Sequence, residues 1–239
     1  MTVTVDTLHR GRELVGPALR AAVDRLDDHS RRVASYHLGW CDPDGRPQDA
    51  NGGKAIRPSL TLLACEAVGC PAEDAVAGAV AVELVHNFSL VHDDLMDRDR
   101  ERRHRPTVWA VWGDATAVLV GDALLSLAHE VLDESPLPYS RDASHALARA
   151  TRELIRGQIL DVAFERRNDV SLDECLDMAA GTTGADFEQG AFDERQETVS
   201  GARLRCARCR QCEHHDRGSA RAGALAGRLA DREAGALSP

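Results

Sequence analysis

Apolar residues recur every three or four positions over most of the chain, which is the spacing of an α-helix. The segment from about Val5 to Leu38 shows this pattern with arginine and aspartate between the apolar positions. Further helices are predicted at about 56–68, 71–97, 116–132, 143–164 and 172–180. No segment shows the strict alternation that is typical of a half-buried strand. The pattern therefore predicts an all-α fold, a bundle of long helices, over residues 1–185.

The pattern changes near Asp186. Of the 54 residues from Asp186 to Pro239, only seven are Val, Ile, Leu, Met or Phe, about 13%. So few apolar side chains cannot offset the entropy of ordering the segment. We therefore divide the chain into a helical domain, residues 1–185, and an atypical Arg/Ala/Gly-rich tail, residues 186–239, for which we predict poor order. A frameshift in GC-rich DNA would give such a tail, and translating the other two frames tests that hypothesis.

Composition and charge exclude several classes of protein. The 239 residues carry a formal net charge of -10, from 29 basic and 39 acidic side chains, which argues against nucleic-acid binding. Met1 to Arg12 lacks a signal-peptide core, and no apolar run approaches the roughly 20 residues of a membrane span. We therefore expect a cytoplasmic protein with no transmembrane segment. Seven cysteines, an odd number, argue against a disulfide framework.

Three aspartates fall within five residues near the predicted end of a helix. Asp93 and Asp97 are separated by four residues and Asp94 and Asp97 by three, so the carboxylates can share one face. They repel one another and the helix dipole, so a cation must compensate. Mg²⁺ suits such oxygen ligands and commonly bridges them to substrate phosphates. The alternative is a solvated acidic face neutralised by Arg98, Arg100, Arg102, Arg103 and Arg105.

Basic side chains surround this cluster in the sequence. His86 lies two helical turns before Asp93 on the same face, although a lone helical histidine is more often a packing residue. Arg102 and Arg103 could bind diphosphate oxygens through charge-assisted hydrogen bonds, or serve as counter-charges only.

Two further segments carry candidate binding residues. Gly52-Gly53 precedes a helix start and lets the backbone approach an anion, with Lys54 and Arg57 beside it. Gln158 and Asp161 share one face of a later helix. Each segment alone is common surface patterning.

Taken in order, these segments resemble the trans-isoprenyl diphosphate synthases, the polyprenyl synthetase family. The matching strings are GGKAIRP at 52–58, ELVHNFSLVHDDLMD at 83–97, RRHRPT at 102–107, GDALL at 121–125 and GQILD at 157–161. The likeness covers about residues 5–185. It implies an all-α bundle around a central cavity, here incomplete at the C-terminal end.

The resemblance also implies a reaction and its residues. Isopentenyl diphosphate would condense head-to-tail with an allylic diphosphate of C5–C15, with Mg²⁺ as cofactor, in an enzyme that is a homodimer. The implied isopentenyl diphosphate site is Lys54, Arg57, His86 and Arg103. The implied metal ligands are Asp93, Asp94 and Asp97. The other implied catalytic or substrate-binding residues are Arg102, Gln158, Asp161 and Thr183.

Product length is implied by the residues just before the first aspartate, which form the floor of the family's cavity. Phe88 and Ser89 stand five and four residues before Asp93. One aromatic and one small residue resemble a geranylgeranyl (C20) synthase.

The C-terminal part departs from the family. Thr182 stands where the family has a lysine, and no second aspartate-rich motif follows in residues 186–239. The alternative is therefore an inactive remnant that binds diphosphate and Mg²⁺ or pairs with an intact subunit. The tail also contains a cluster that could bind Zn²⁺ or an iron–sulfur centre. Its members are Cys206, Cys209, Cys212, His214 and His215.

Overall fold

The computed structural model describes residues 2–48 and 55–181. The elements in this part are α1 (Thr2–Val23), α2 (Asp28–His37), α3 (Ile56–Ala67), a 3-10 helix (Ala72–Ala75), α4 (Val76–Met96), β1 (Glu101–Arg102), β2 (Arg105–Pro106), α5 (Val108–Trp112), α6 (Asp114–Asp133), α7 (Ser140–Phe164) and α8 (Leu172–Ala179). The predicted all-α fold is confirmed. Several sequence predictions lie outside the described residues: those for Lys54, Thr182, Thr183, the Cys206/Cys209/Cys212 cluster and the tail.

The observed helices differ from the predicted ones in two places. The stretch 5–38 forms two helices, because Asp27 caps a new helix by accepting hydrogen bonds from the backbone N–H of His29 and Ser30. A short antiparallel pair, β1 with β2, and the five-residue α5 follow α4. Strands of two residues are too short to show alternation, so the hydrophobic pattern did not predict them.

α4 lies at the centre of the helical core. It packs against α1, α3, α5 and α6, and its most extensive packing is against α6. The largest fully buried side chains of this core include Leu84 and Val85 from α4 and Leu124 from α6. Two helical stretches, Ala72–Met96 and Asp114–Asp133, are long and apolar enough by composition to cross a membrane. Their place in the core accounts for that composition.

The chain separates into two compact units. Among the described residues, the first unit extends to Arg152 and the second begins at Glu153. The second unit has its own small core, which is formed by Phe164, Val170, Cys175 and Met178 with Leu160 beside them.

Candidate active site

The three predicted aspartates lie at the C-terminal end of α4. Asp97 is the C-cap residue, and its backbone N–H donates to the carbonyl of Asp93 at 2.8 Å. Asp94 is the buried member, with 1% of its surface exposed, whereas Asp93 and Asp97 are partly exposed. The predicted position of the carboxylates is therefore confirmed, and they differ sharply in burial.

Asp94 is paired with Arg102. Both Nε and Nη2 of Arg102 lie 2.8 Å from Oδ1 of Asp94. Burial nevertheless raises the pKa of Asp94, against the opposing effect of this arginine. The second oxygen, Oδ2, is buried and has no hydrogen-bond partner in the part of the chain that is described. Such an oxygen needs a cation or a donor.

The carboxylates suit Mg²⁺ by chemistry. Within residues 2–48 and 55–181, however, no three His, Cys, Asp or Glu side chains converge closely enough to hold a metal ion. Mg²⁺ usually keeps several waters and takes one or two carboxylates together with substrate phosphates. The donor set therefore fits a Mg²⁺ ion shared with a substrate better than a closed protein site.

α3 and α4 bring two of the predicted diphosphate-binding residues together. Nη1 of Arg57, in the first turn of α3, lies 3.2 Å from Nε2 of His86 on α4. Because a guanidinium only donates, the imidazole accepts through Nε2 and is neutral. Burial, followed by repulsion from Arg57 and Arg103, lowers the pKa of His86 to about 3. This histidine therefore lies in a positively charged environment that suits an anion.

His37 is a member of this environment that the sequence analysis missed. It lies in the last turn of α2, where burial and the charges of Arg102 and Arg103 lower its pKa to about 3. Asn87, next to His86, hydrogen-bonds to His37 and is 2% exposed. A polar residue inside the apolar run of α4 was a usable signal for Asn87. No spacing in the sequence indicated His37, because only tertiary packing brings α2 beside α4.

The arginines that follow the acidic cluster have different partners. Nη1 of Arg98 bonds to Asp114 at 2.9 Å, and Arg100 lies over the ring of Trp109. Arg105 donates to the carbonyls of Tyr36 and Cys41 at 3.0 and 2.8 Å. Arg102, in contrast, pairs with Asp94 of the acidic cluster. Arg98, Arg100 and Arg105 therefore have partners outside the acidic cluster, and its neutralisation by all five arginines stays an alternative prediction.

A tight hairpin turn connects β1 to β2. Its two central residues, Arg103 and His104, have φ values of 54° and 63°. These left-handed conformations are those of a type I′ turn, which favours glycine or asparagine. The turn therefore holds Arg102 and Arg103 in place at a cost in backbone strain.

We expect His104→Gly to stabilise the protein by about 0.5–1 kcal/mol, because glycine adopts this conformation without a Cβ penalty. Urea denaturation measures the change, with His104→Ala as the matched control. Alanine also removes the imidazole but keeps Cβ, so it should give no gain. Equal effects of the two variants would contradict the role assigned to backbone strain.

We also expect His86 to make the protein sensitive to acid. Its pKa in the folded protein lies below the unfolded value of about 6.5, so the unfolded chain binds more protons between these values. Its stabilising contribution is complete above pH 6.5 and falls by about 1.4 kcal/mol per pH unit below it. Denaturation from pH 7.5 to 5.5 should show a shallower loss for His86→Gln. An unchanged slope would contradict a neutral His86.

Phe88 and Ser89 lie on α4 before the aspartates, and the ring of Phe88 contacts the ring of His92. It meets the imidazole of His92 edge-to-face, with 4.8 Å between centroids. Nε2 of His92 lies 3.0 Å from the carbonyl oxygen of Val118 on α6. This close approach is possible because α6 has Gly121 there, and a Cβ atom on Gly121 would overlap the imidazole. The glycine of the GDALL string therefore has a packing role.

The remaining predicted residues belong to the second unit. Gln158 and Asp161 lie on α7, and burial followed by the charge of Glu165 raises the pKa of Asp161. Gly157, the first residue of the GQILD string, lets Gly181 approach closely, since a Cβ on Gly181 would lie 3.1 Å from Cα of Gly157.

A helical fold with a carboxylate cluster beside arginines and partly buried histidines defines a protein of the isoprenoid synthase class. Residues 48–191 match the polyprenyl synthetase family. The chain belongs to this family.

The relatives and solved structures agree on family and fold. A protein from Mycobacterium tuberculosis named (2E,6E)-farnesyl diphosphate synthase is 62% identical over 182 residues, or 76% of this chain and 51% of that protein. A geranylgeranyl diphosphate synthase from the same organism is 41% identical over 182 residues, covering 74% of this chain and 51% of its own length. The crystal structure of a polyprenyl synthetase from Streptomyces coelicolor has a TM-score of 0.74 at 53% identity and covers 78% of this chain and 56% of that one. This chain therefore spans about half the length of the curated relatives it matches.

Proposed function

We propose that this protein is a prenyltransferase that condenses isopentenyl diphosphate with an allylic diphosphate. The observation that carries the proposal is the bond between Arg102 and Asp94. This bond links the basic residues around His86 to the three aspartates, so that both sets form one site. A diphosphate leaving group needs both kinds of residue, namely donors for its oxygens and carboxylates for its metal ions.

Each group has a proposed part in the reaction. Arg57, His86 and Arg103, together with Lys54, bind the diphosphate of isopentenyl diphosphate. Bound Mg²⁺ would neutralise the charge on the departing diphosphate, and Asp93, Asp94 and Asp97 would hold it. Arg102 donates to Asp94 and is proposed to donate to the allylic diphosphate as well. Gln158 and Asp161 are proposed as catalytic residues and Thr183 as a substrate-binding residue, as the family resemblance implies.

Product length is the finer part of the proposal. A single aromatic residue at the floor, Phe88, favours the C20 product predicted from the sequence. The 62% identity to proteins named farnesyl diphosphate synthase, against 41% to one named geranylgeranyl diphosphate synthase, favours C15. We give the identity more weight and propose a C15 product, with C20 as the second candidate.

Phe88→Ala should lengthen the products by one or more isoprene units, because it removes the aromatic floor. Mass spectrometry of the dephosphorylated alcohols measures the shift. Phe88 is 6% exposed, so a large truncation destabilises the core by about 3–5 kcal/mol. Phe88→Leu, which keeps most of the volume, is the folding control and should lengthen the products less. An unchanged product distribution in both variants would exclude Phe88 as the floor.

The test of function is a prenyl-transfer assay on the full chain. Labelled isopentenyl diphosphate is supplied with each allylic diphosphate from C5 to C15, with and without Mg²⁺, and Asp93→Ala serves as the control. A Mg²⁺-dependent product that Asp93→Ala abolishes supports the proposal. Folded protein that gives no product contradicts it.

The second candidate function is a non-catalytic family member that binds diphosphate or pairs with an intact subunit. It is favoured by Thr182, which stands where the family has a lysine, and by the lack of a second aspartate-rich motif in residues 186–239. Calorimetry with pyrophosphate separates it from the first, since it predicts binding without turnover. The homodimer also remains a prediction, which light scattering after size-exclusion chromatography tests.

A further inference from the structure

The end of α3 brings two cysteines together. Gly69, with φ of 86°, ends the helix, and its N–H donates to the carbonyl of Glu66 at 2.9 Å. The N–H of Cys70 donates to the carbonyl of Cys65 at 3.1 Å. These are the two hydrogen bonds of a Schellman motif, in which the side chains of the first and sixth residues commonly contact each other. Cys65 and Cys70 occupy those two positions.

The surroundings keep this thiol pair accessible. Both cysteines are partly exposed, whereas Cys41 and Cys175 are buried. The thiol of Cys65 hydrogen-bonds with Cys70 and lies 3.2 Å from the carbonyl oxygen of Pro71. Both side chains line a cavity of about 290 Å³ that is formed by parts of α3, α4, α6 and α7. A small oxidant can therefore reach the pair.

We propose that Cys65 and Cys70 are a modification site, a dithiol that a peroxide converts into an intramolecular disulfide. Each thiol gives up one hydrogen, two electrons pass to hydrogen peroxide, an S–S bond forms and the O–O bond breaks. Two water molecules are the other product. The disulfide closes a loop of six residues and ties the end of α3 to the segment that leads into α4.

The charges around the pair set its rate of oxidation. Burial, Cys70, Asp74 and Glu66 raise the pKa of Cys65, and Tyr139 also faces this thiol. Because the thiolate is the nucleophile, attack by Cys65 is slow at neutral pH and accelerates by up to about tenfold per pH unit below that pKa.

The test is peptide mapping of the full chain after peroxide treatment and alkylation. Cleavage after Lys54 and Arg98 gives a peptide, residues 55–98, whose only cysteines are Cys65 and Cys70. This peptide should lose about 2 Da and resist alkylation until dithiothreitol is added. Cys70→Ser should abolish the change, whereas Cys175→Ser should leave it as in the wild type. The reaction should run faster at pH 8.5 than at pH 7.

Two results would overturn the proposal. One is a peptide that remains doubly alkylated, or carries sulfinic acid on one cysteine, after the Cys41 and Cys175 thiols have reacted. The other is a lower melting temperature of the oxidised protein, because a pair already in contact should close without strain. We expect oxidation to raise the melting temperature by about 4 °C, and Cys70→Ser to remove that rise.

Discussion

Gly121→Ala should destabilise the protein by about 1–3 kcal/mol, although alanine is the better helix former. A Cβ atom at this position of α6 would lie 3.1 Å from Cε1 of His92 and closer still to Nε2 and Cδ2. The imidazole must then leave the carbonyl of Val118 and its edge-to-face contact with Phe88. Overpacking of this contact costs about 1–3 kcal/mol, the lost hydrogen bond adds about 1 kcal/mol, and the higher helix propensity of alanine recovers about 1 kcal/mol. Chemical denaturation measures the total.

Gly78→Ala is the matched control. Gly78 also lies inside a helix, but a Cβ there would meet only Cγ2 of Thr61, at 3.8 Å, which is an ordinary contact. We expect this variant to be neutral or more stable by up to about 1 kcal/mol, because alanine has the higher helix propensity. Gly121→Ala with wild-type stability would mean that His92 does not depend on this glycine. If the variant folds and is active, a shift in product length would also show that His92 positions Phe88.

Hydrophobic periodicity predicted the helices well because each long helix buries one stripe of side chains. It could not predict the β1–β2 hairpin, whose turn uses Arg103 and His104 in place of the expected glycine or asparagine. That turn is maintained by tertiary contacts, including the bonds from Arg105 to the carbonyls of Tyr36 and Cys41. Contacts between residues so far apart in the sequence cannot be predicted from the sequence of the turn itself.

Part of the candidate site could also be predicted from residue spacing. Carboxylates three and four residues apart must share a helical face, so the grouping of Asp93, Asp94 and Asp97 followed from spacing alone. Spacing could not show that Asp94 is the buried member, or that Arg102 and not Arg98 pairs with it, because that depends on the path of the hairpin. His37 was missed because its only link to the site is the packing of α2.

Asp94→Asn should stabilise the metal-free protein by about 1 kcal/mol and abolish Mg²⁺-dependent prenyl transfer, by about 10³-fold or more. The asparagine carbonyl can still accept from Arg102, and Arg102 is one-third exposed, so water can solvate its charge. Because burial raises the pKa of Asp94, ionisation of this carboxyl costs stability in full above that pKa, and the cost disappears as the pH falls from it to the unfolded value of about 3.9. The gain should therefore shrink as the pH falls through the pKa of Asp94.

A metal ligand and a structural carboxylate predict different results for Asp94→Asn. Replacing a metal ligand should raise stability and lower activity. Asp99→Asn is the control, since Asp99 is exposed and lies near enough to affect the charge of Asp94. It should change both quantities only slightly. If the carboxylate of Asp94 served only to bond Arg102, its replacement would lower the free energy of unfolding of the protein. The loss would be about 3 kcal/mol or more, as is found for broken buried ion pairs. Two measurements distinguish a metal ligand from a structural carboxylate, even if the chain gives no product. They are denaturation of both variants without Mg²⁺, and calorimetry of pyrophosphate binding with and without Mg²⁺. If the Asp94→Asn protein is less stable and still binds pyrophosphate with an unchanged Mg²⁺ dependence, Asp94 is not a metal ligand.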